Sequence, residues 1–249
     1  MTAAVLPASG ESVAATVRRL AGAQKGAQGA PAYSRFVNRP LGRVLAALAF
    51  HAGLTPNAVT AVSAVWTAAG IVLLAVAPPA WATGAAATTC LVLGYALDAA
   101  DGQLARLRGG GSPAGEWLDH VVDSAKIASI HLAVLLGLSR VDDLARGWLL
   151  VPLAFSVVAV VHFSATLLSE ALRAQHGAPT RAARSDARPS VLRSLLVAPT
   201  DYGVLCLVFF LLGAPAAFLW AYGLLLAYNA LFTARNIVVT YGRLTDLTT

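Results

Sequence analysis

Charge is scarce in this sequence. Only 12% of its 249 residues are Asp, Glu, Lys or Arg, about half the share of an ordinary soluble domain. A soluble chain of this length could bury a large core, but it would also need a polar surface. The residues for one are missing, and 57% of the chain is hydrophobic. Cysteine is nearly absent too. Cys90 and Cys206 both lie in apolar segments, which argues against a disulfide framework and against a thiolate metal site. No repeat recurs at a fixed period. The first 30 residues are rich in Ala and Gly and carry Arg18, Arg19 and Lys25, without an apolar run long enough for a signal peptide. Residues 1–30 therefore read as a mobile cytoplasmic tail and 31–249 as a membrane domain.

Apolar runs are what the chain does have. A helical span needs about 20 mostly apolar residues. Six candidates emerge: 57–77, 81–107, 115–138, 145–171, 200–213 with part of what precedes it, and 215–240. Pro78-Pro79, the run from Gly109 to Pro113, and Gly213-Ala214-Pro215 mark breaks between them. Ahead of the first span, residues 33–52 set Arg35, Arg39 and Arg43 among Phe36, Val37, Leu41, Val44, Leu45 and Leu48. That pattern suits an amphipathic helix lying along the headgroups. The expected fold is an all-α polytopic membrane protein with six transmembrane helices and an N-terminal interfacial amphipathic helix.

Basic residues orient it. With six spans, 15 of the 18 Lys and Arg residues fall on the side of the N-terminus, the 107–114 turn, the 172–199 loop and the C-terminus. Arg140 and Arg146 fall on the other side, and Lys126 lies within a span. The positive-inside rule makes the crowded side cytoplasmic. The formal charge of +6 then reads as attraction to anionic lipid. Nucleic acid is not indicated, because the basic loop lacks interleaved aromatics. The Ala-rich, Lys-poor composition fits a high-GC bacterium, so the expected location is its plasma (inner) membrane.

Against this apolar background, residues 98–123 hold five of the twelve acidic residues: Asp98, Asp101, Glu116, Asp119 and Asp123. An Asp at the centre of a membrane helix costs roughly 2.5–3.5 kcal/mol, so four exposed to lipid would cost about 10–14 kcal/mol. Spacing shows how they avoid it. Asp98 and Asp101 are i,i+3, and Asp119 and Asp123 are i,i+4, so each pair shares a helix face. The glycine-rich turn makes the two helices antiparallel neighbours. At helical rise, Asp101 lies about 10 Å before Arg108 and Asp123 about 12 Å after Gly115, so both pairs reach a similar depth near the cytoplasmic surface. Four carboxylates that meet in one space repel one another unless a cation resolves them. An all-oxygen shell suits Mg²⁺, Mn²⁺ or Ca²⁺, and two such ions typically hold both ends of a phosphoryl displacement. Arg106 is placed to grip a phosphate, while Gly102, Ala105 and Gly115 leave room for a bulky ligand. These residues point to a metal-dependent phosphoryl-transfer site at the membrane interface.

The pattern D-x-x-D-G-x-x-A-R-x₈-G-x-x-x-D-x-x-x-D is matched by Asp98, Asp101, Gly102, Ala105, Arg106, Gly115, Asp119 and Asp123. It resembles the signature of the CDP-alcohol phosphotransferase family. The run from Leu54 to Thr60 is similar to the segment that opens that family's first span. The resemblance implies transfer of a substituted phosphate from a CDP-linked donor to an alcohol, with release of CMP. It implies Asp98, Asp101, Asp119 and Asp123 as ligands of two divalent cations, Mg²⁺ or Mn²⁺, with Asp123 also the general base on the incoming hydroxyl. Gly102, Ala105 and Arg106 would line the nucleotide and pyrophosphate pocket, and Asn57, Thr60 and Gly115 would contact the donor. It further implies a homodimer. The expected reaction moves a phosphatidyl group from CDP-diacylglycerol to a small polar alcohol in phospholipid biosynthesis. The alternative reverses the parts: a CDP-linked alcohol of the choline or ethanolamine type donates its headgroup to a lipid hydroxyl. The stretch Gly115–His120 is similar to that branch. An alternative of another class is an ion or solute transporter, since intramembrane acids also mark ion pathways.

Other polar residues have ordinary readings. Lys126, i+3 from Asp123, reads as an ion pair tempering the carboxylates. His120 reads as a neighbour of the site on another face, and His131 and His162 as hydrogen-bonded interior residues. Glu170 and Asp201 sit at the cytoplasmic ends of spans, where they border an acceptor pocket or the water line. Arg173, Arg181, Arg184, Arg188 and Arg193 read as the positive-inside signal, with binding of a phosphorylated acceptor as the functional alternative. Trp81, Trp117, Trp148 and Trp220 suit an interfacial belt.

Overall fold

The computed structural model describes residues 11–22, 29–178 and 190–246. Every regular element among them is helical: α1 Val13–Gly22, α2 Arg39–His51, α3 Pro56–Val76, α4 Trp81–Leu107, α5 Pro113–Leu138, α6 Leu150–Gln175, α7 Val191–Leu196, α8 Tyr202–Val208 and α9 Pro215–Thr245. Local chemistry sets the boundaries near the acidic stretch. Thr55 caps α3 by accepting from the Ala58 N–H, and Ser112 caps α5 by accepting from the Gly115 N–H; Pro56 and Pro113 follow them. There the missing proline N–H costs nothing. Between α4 and α5, Gly109 and Gly110 take φ values of 93° and 127°, which side chains resist. The glycines let α5 return against α4 at once.

α4 is the central helix, packed on α2, α3 and α8. Its contact with α3 is close because Gly94 faces Thr67: a Cβ there would stand 2.3 Å from the Thr67 Oγ1. The Ser63 hydroxyl donates to the Gly94 carbonyl at 2.8 Å, the small-residue and hydroxyl packing typical of membrane helices. One apolar core joins Leu91, Ile130, Phe155, Phe209 and Tyr222. A second lies at the end near the acids, around Leu20, Phe50, Val59 and Leu104.

The outer faces are apolar as well. Val65 on α3, Leu168 on α6 and Leu231 on α9 are 69%, 60% and 75% exposed, a surface suited to lipid and not to water. Among the described residues, four helical stretches are long and apolar enough to cross a membrane: Pro56–Val76, Pro113–Leu138, Arg146–Gln175 and Pro215–Thr245. The protein is an all-α polytopic membrane protein. The remaining two predicted spans differ for physical reasons. α4 has the length, 27 residues, but it carries Asp98, Asp101 and Arg106. The predicted span at 200–213 is an apolar helical stretch, Tyr202–Gly213, whose last residues tighten into a 3₁₀ turn. The residues before it do not extend it. α7 stands apart from it, because Pro199 and the Asp201 cap start a new helix.

Residues 33–52 are helical nearly throughout. A π-helical turn over Ser34–Asn38 precedes α2, just ahead of Pro40, whose missing N–H interrupts the regular ladder. Phe36, Val37, Leu41, Val44 and Leu48 are exposed, while Gly42, Ala46 and Phe50 are buried against the bundle. That apolar stripe suits the predicted interfacial position. Within residues 1–30, Val13–Gly22 are helical. There α1 packs on α2, with Leu20 and Thr16 wholly buried and the Thr16 hydroxyl 2.9 Å from the His51 Nε2. Leu20 joins the second core, a tertiary gain that local composition does not display. Lys25, Arg181, Arg184 and Arg188 lie outside the described residues.

Candidate active site at one end of the bundle

Asp98 and Asp101 sit in the last three turns of α4, and Asp119 and Asp123 in the first three of α5. The helices bring together what the spacing predicted. Carboxylate oxygens of Asp98, Asp101 and Asp119 lie within 4.8 Å of one another. A second group places oxygens of Asp119 and Asp123 and a ring nitrogen of His120 within the same distance. The donors are mainly oxygen, as hard divalent cations require, so the residues fit the predicted metals. His120, read from the sequence as a neighbour of the site, lies close to two of its carboxylates. It is i,i+3 to Asp123, which keeps it near that face, and its Nδ1 is buried without a hydrogen-bond partner.

Neighbours hold the carboxylates in place. The Thr60 hydroxyl on α3 donates to the Asp101 Oδ2 at 2.5 Å, and both residues are buried. Thr60 thus acts on Asp101 directly, a role distinct from the donor contact predicted for it. The Lys126 ammonium lies against Asp123 and 3.9 Å from the Asp98 Oδ2, the ion pairing expected of it. Lys126 is buried and stands 5.0 Å from the Tyr202 ring centroid.

Gly102 is exposed, and a Cβ there would meet only the tip of Arg106, at 3.8 Å. Gly115 is tighter: its Cβ would stand 3.1 Å from the Asn57 Oδ1. Ala105 and Arg106 are half-buried on the next turn of α4, and the Arg106 Nε is buried without a partner. Arg39 of α2 stands close enough to repel Arg106. Sequence reasoning did not attach Arg39 to this site; its wide separation from Arg106 along the chain gave no signal.

Toward α6 and α9, a cavity of about 340 Å³ adjoins the site. Asp98 and Asp123 are the two predicted site residues in its wall, and Tyr95 of α4 together with α5, α6, α9 and residues 199–205 supply the rest. His131 and His162 both line it. The His131 Nδ1 lies 2.6 Å from the Tyr222 hydroxyl, and its ring stacks on Phe155 at 4.1 Å. The His162 Nδ1 lies 3.2 Å from the Thr233 Oγ1. Asp201 borders the cavity too, accepting from the Ser34 and Gly203 N–H groups at 2.6 and 3.0 Å and from the Tyr95 hydroxyl at 3.3 Å. It thereby ties the approach to α2 onto the start of α8.

A lipid-facing helix bundle that gathers carboxylates and an arginine at one end defines a membrane enzyme suited to phosphate substrates. The family model described as CDP-alcohol phosphatidyltransferase matches residues 53–240, and the chain belongs to that family, a group of membrane transferases of substituted phosphates. The structure is similar to the crystal structure of the Mycobacterium tuberculosis phosphatidylinositol phosphate synthase (PgsA1) in complex with manganese and citrate, at 20% identity over 79% of this chain and 87% of that chain, with a TM-score of 0.49. No curated protein sequence matches the chain significantly.

Proposed function

We propose that this phosphatidyltransferase takes CDP-diacylglycerol as donor and a polar alcohol as acceptor, releasing CMP, at a site facing the cytoplasm of a bacterial plasma membrane. The observation that carries this is the convergence of Asp98, Asp101 and Asp119 within 4.8 Å, with Asp98 and Asp123 lining an adjoining cavity. Six membrane passes and a homodimer belong to the same reading. Asp98, Asp101, Asp119 and Asp123 would hold two divalent cations, Mg²⁺ or Mn²⁺, which neutralise the pyrophosphate and steady both ends of the displacement.

The chain's own groups do the remainder. Arg106 binds a donor phosphate, and Gly102 and Ala105 let the nucleotide approach the backbone of α4. Asn57 and Gly115 border the donor from α3 and α5. Asp123, oriented by Lys126, takes the proton of the acceptor hydroxyl. The hydroxyl oxygen bonds to the phosphatidyl phosphorus as the bond to CMP breaks. Thr60 holds Asp101 in register. Thr60→Val should therefore raise the metal concentration needed for half-maximal activity by about 10–100-fold, as loss of an outer hydrogen-bond partner does. An unmoved midpoint in a metal titration would remove Thr60 from that role.

The reversed reaction keeps a claim because the cavity wall includes apolar residues such as Ile130, Phe155 and Val158, which suit a lipid. The test is product analysis with purified protein in nanodiscs. One arm supplies CDP-diacylglycerol and a panel of alcohols, the other CDP-linked aminoalcohols and diacylglycerol. Lipid product in the first arm supports the proposal. Product in the second arm alone would reverse the parts, and absence of cytidine nucleotide binding would favour a transporter.

A further inference from the structure

We infer that the cavity beside Asp123 holds the acceptor, and that the acceptor is an alcohol bearing no anionic group. The inference rests on the phosphotransfer reading above and names its second substrate class. The cavity's position assigns it. Asn57, Gly102, Arg106 and Gly115, the groups read as donor contacts, are all absent from its wall. The donor contacts thus lie apart from the cavity, and α3, which carries Asn57, supplies none of its described lining residues. A hydroxyl in the cavity reaches Asp123 from the side away from the nucleotide, the approach an in-line displacement needs.

Its chemistry assigns the class. At about 340 Å³, the cavity falls at the small end of ligand pockets. Lys126 is the one Lys or Arg among its described lining residues, and its ammonium is already set between Asp98 and Asp123. Asp201 adds negative charge to the wall. A phosphate monoester there would meet no Lys or Arg among the described lining residues that is not already paired with carboxylates, and burying an anion without its own partner is unfavourable. Arg173 is buried on α6, two turns beyond Thr166, but it is not part of the lining. What the wall offers instead is neutral: the Thr166 hydroxyl, the His162–Thr233 pair and the Asn229 side chain. Going deeper, the wall runs along α5 from Asp123 to His131, about 12 Å at helical rise, and ends at the His131–Phe155 stack. Hydroxyl groups near Thr233 and a hydrocarbon part near Phe155 would both be matched.

Acceptor competition tests this in nanodiscs containing the full chain, CDP-diacylglycerol and Mn²⁺. Matched pairs are compared: glycerol with glycerol 3-phosphate, inositol with inositol 1-phosphate, and a long-chain alcohol with its phosphate. CMP release should show kcat/KM at least tenfold higher for the unphosphorylated member. Equal or better use of the phosphorylated member, with CMP still released, would overturn the inference and leave the phosphotransfer reading intact. Turnover of diacylglycerol with a CDP-linked aminoalcohol alone would support the inference, since that acceptor also lacks an anion, while reversing the donor assignment. Silence in every arm would overturn both. Thr233→Val should raise the KM of the preferred acceptor about tenfold, the worth of one buried hydrogen bond, and leave the donor KM within about twofold. Equal loss toward both substrates would mean that Thr233 only supports the fold, and would count against the assignment.

Discussion

Replacing Asp123 by Asn should lower turnover by about 10²–10⁴-fold, the range that a positioned base contributes, while metal-dependent binding of a cytidine nucleotide stays within about threefold. Asp123 differs from the other three acids in its surroundings. It is absent from the group formed by Asp98, Asp101 and Asp119 and belongs instead to a second one with Asp119 and His120; it holds the Lys126 ammonium more closely than Asp98 does, and it shares the cavity wall with Asp98 alone of the other three. Asn retains its size and removes its proton affinity. Single-turnover CMP release separates the two effects. Near-normal release would end the role of Asp123 as base, and a parallel collapse of nucleotide binding would make it chiefly a metal ligand.

Asp98→Asn and Asp101→Asn should act on the other quantity. Each removes a charge from the group of three carboxylates, whose mutual repulsion a bound divalent cation relieves. Cytidine nucleotide affinity at limiting Mg²⁺ or Mn²⁺ should fall by more than the roughly 10–100-fold that loss of an outer partner costs, and turnover should fall with it. Saturating metal should recover part of the loss in Asp98→Asn, because Asp101 keeps its bond from Thr60. Unchanged affinity at limiting metal would contradict the ligand assignment. The contrast with Asp123→Asn is the diagnostic feature: one set of variants loses binding, the other loses chemistry.

The acid cluster was legible because helical geometry is regular over short distances. Spacings of three and four residues fix a common face, and the turn at Gly109 and Gly110 fixes the neighbour. The membrane class followed from composition, and the stripe of Val37, Leu41, Val44 and Leu48 followed from period. What stayed hidden depends on contacts between distant segments. Leu20 gains its burial from Phe50, and Thr16 meets His51, so α1 could not be read from residues 1–30 alone. Asn229 and Thr233 face the cavity more than a hundred residues after Asp123, and an apolar helix gives no mark of which face meets a ligand. The charge of Arg39 bears on Arg106 across a wide gap in sequence. His120 was discounted because adjacent residues point apart, yet its i,i+3 relation to Asp123 brought its ring back.

The central claim is that the acids at the end of α4 and the start of α5 form one metal-dependent phosphotransfer site. The most direct measurement is CMP release from CDP-diacylglycerol by the purified chain in nanodiscs, in Mg²⁺, in Mn²⁺ and after EDTA. The account predicts acceptor-dependent CMP that EDTA abolishes and added metal restores. CMP formed equally well in EDTA, or none under any condition with the nucleotide unbound, would contradict it.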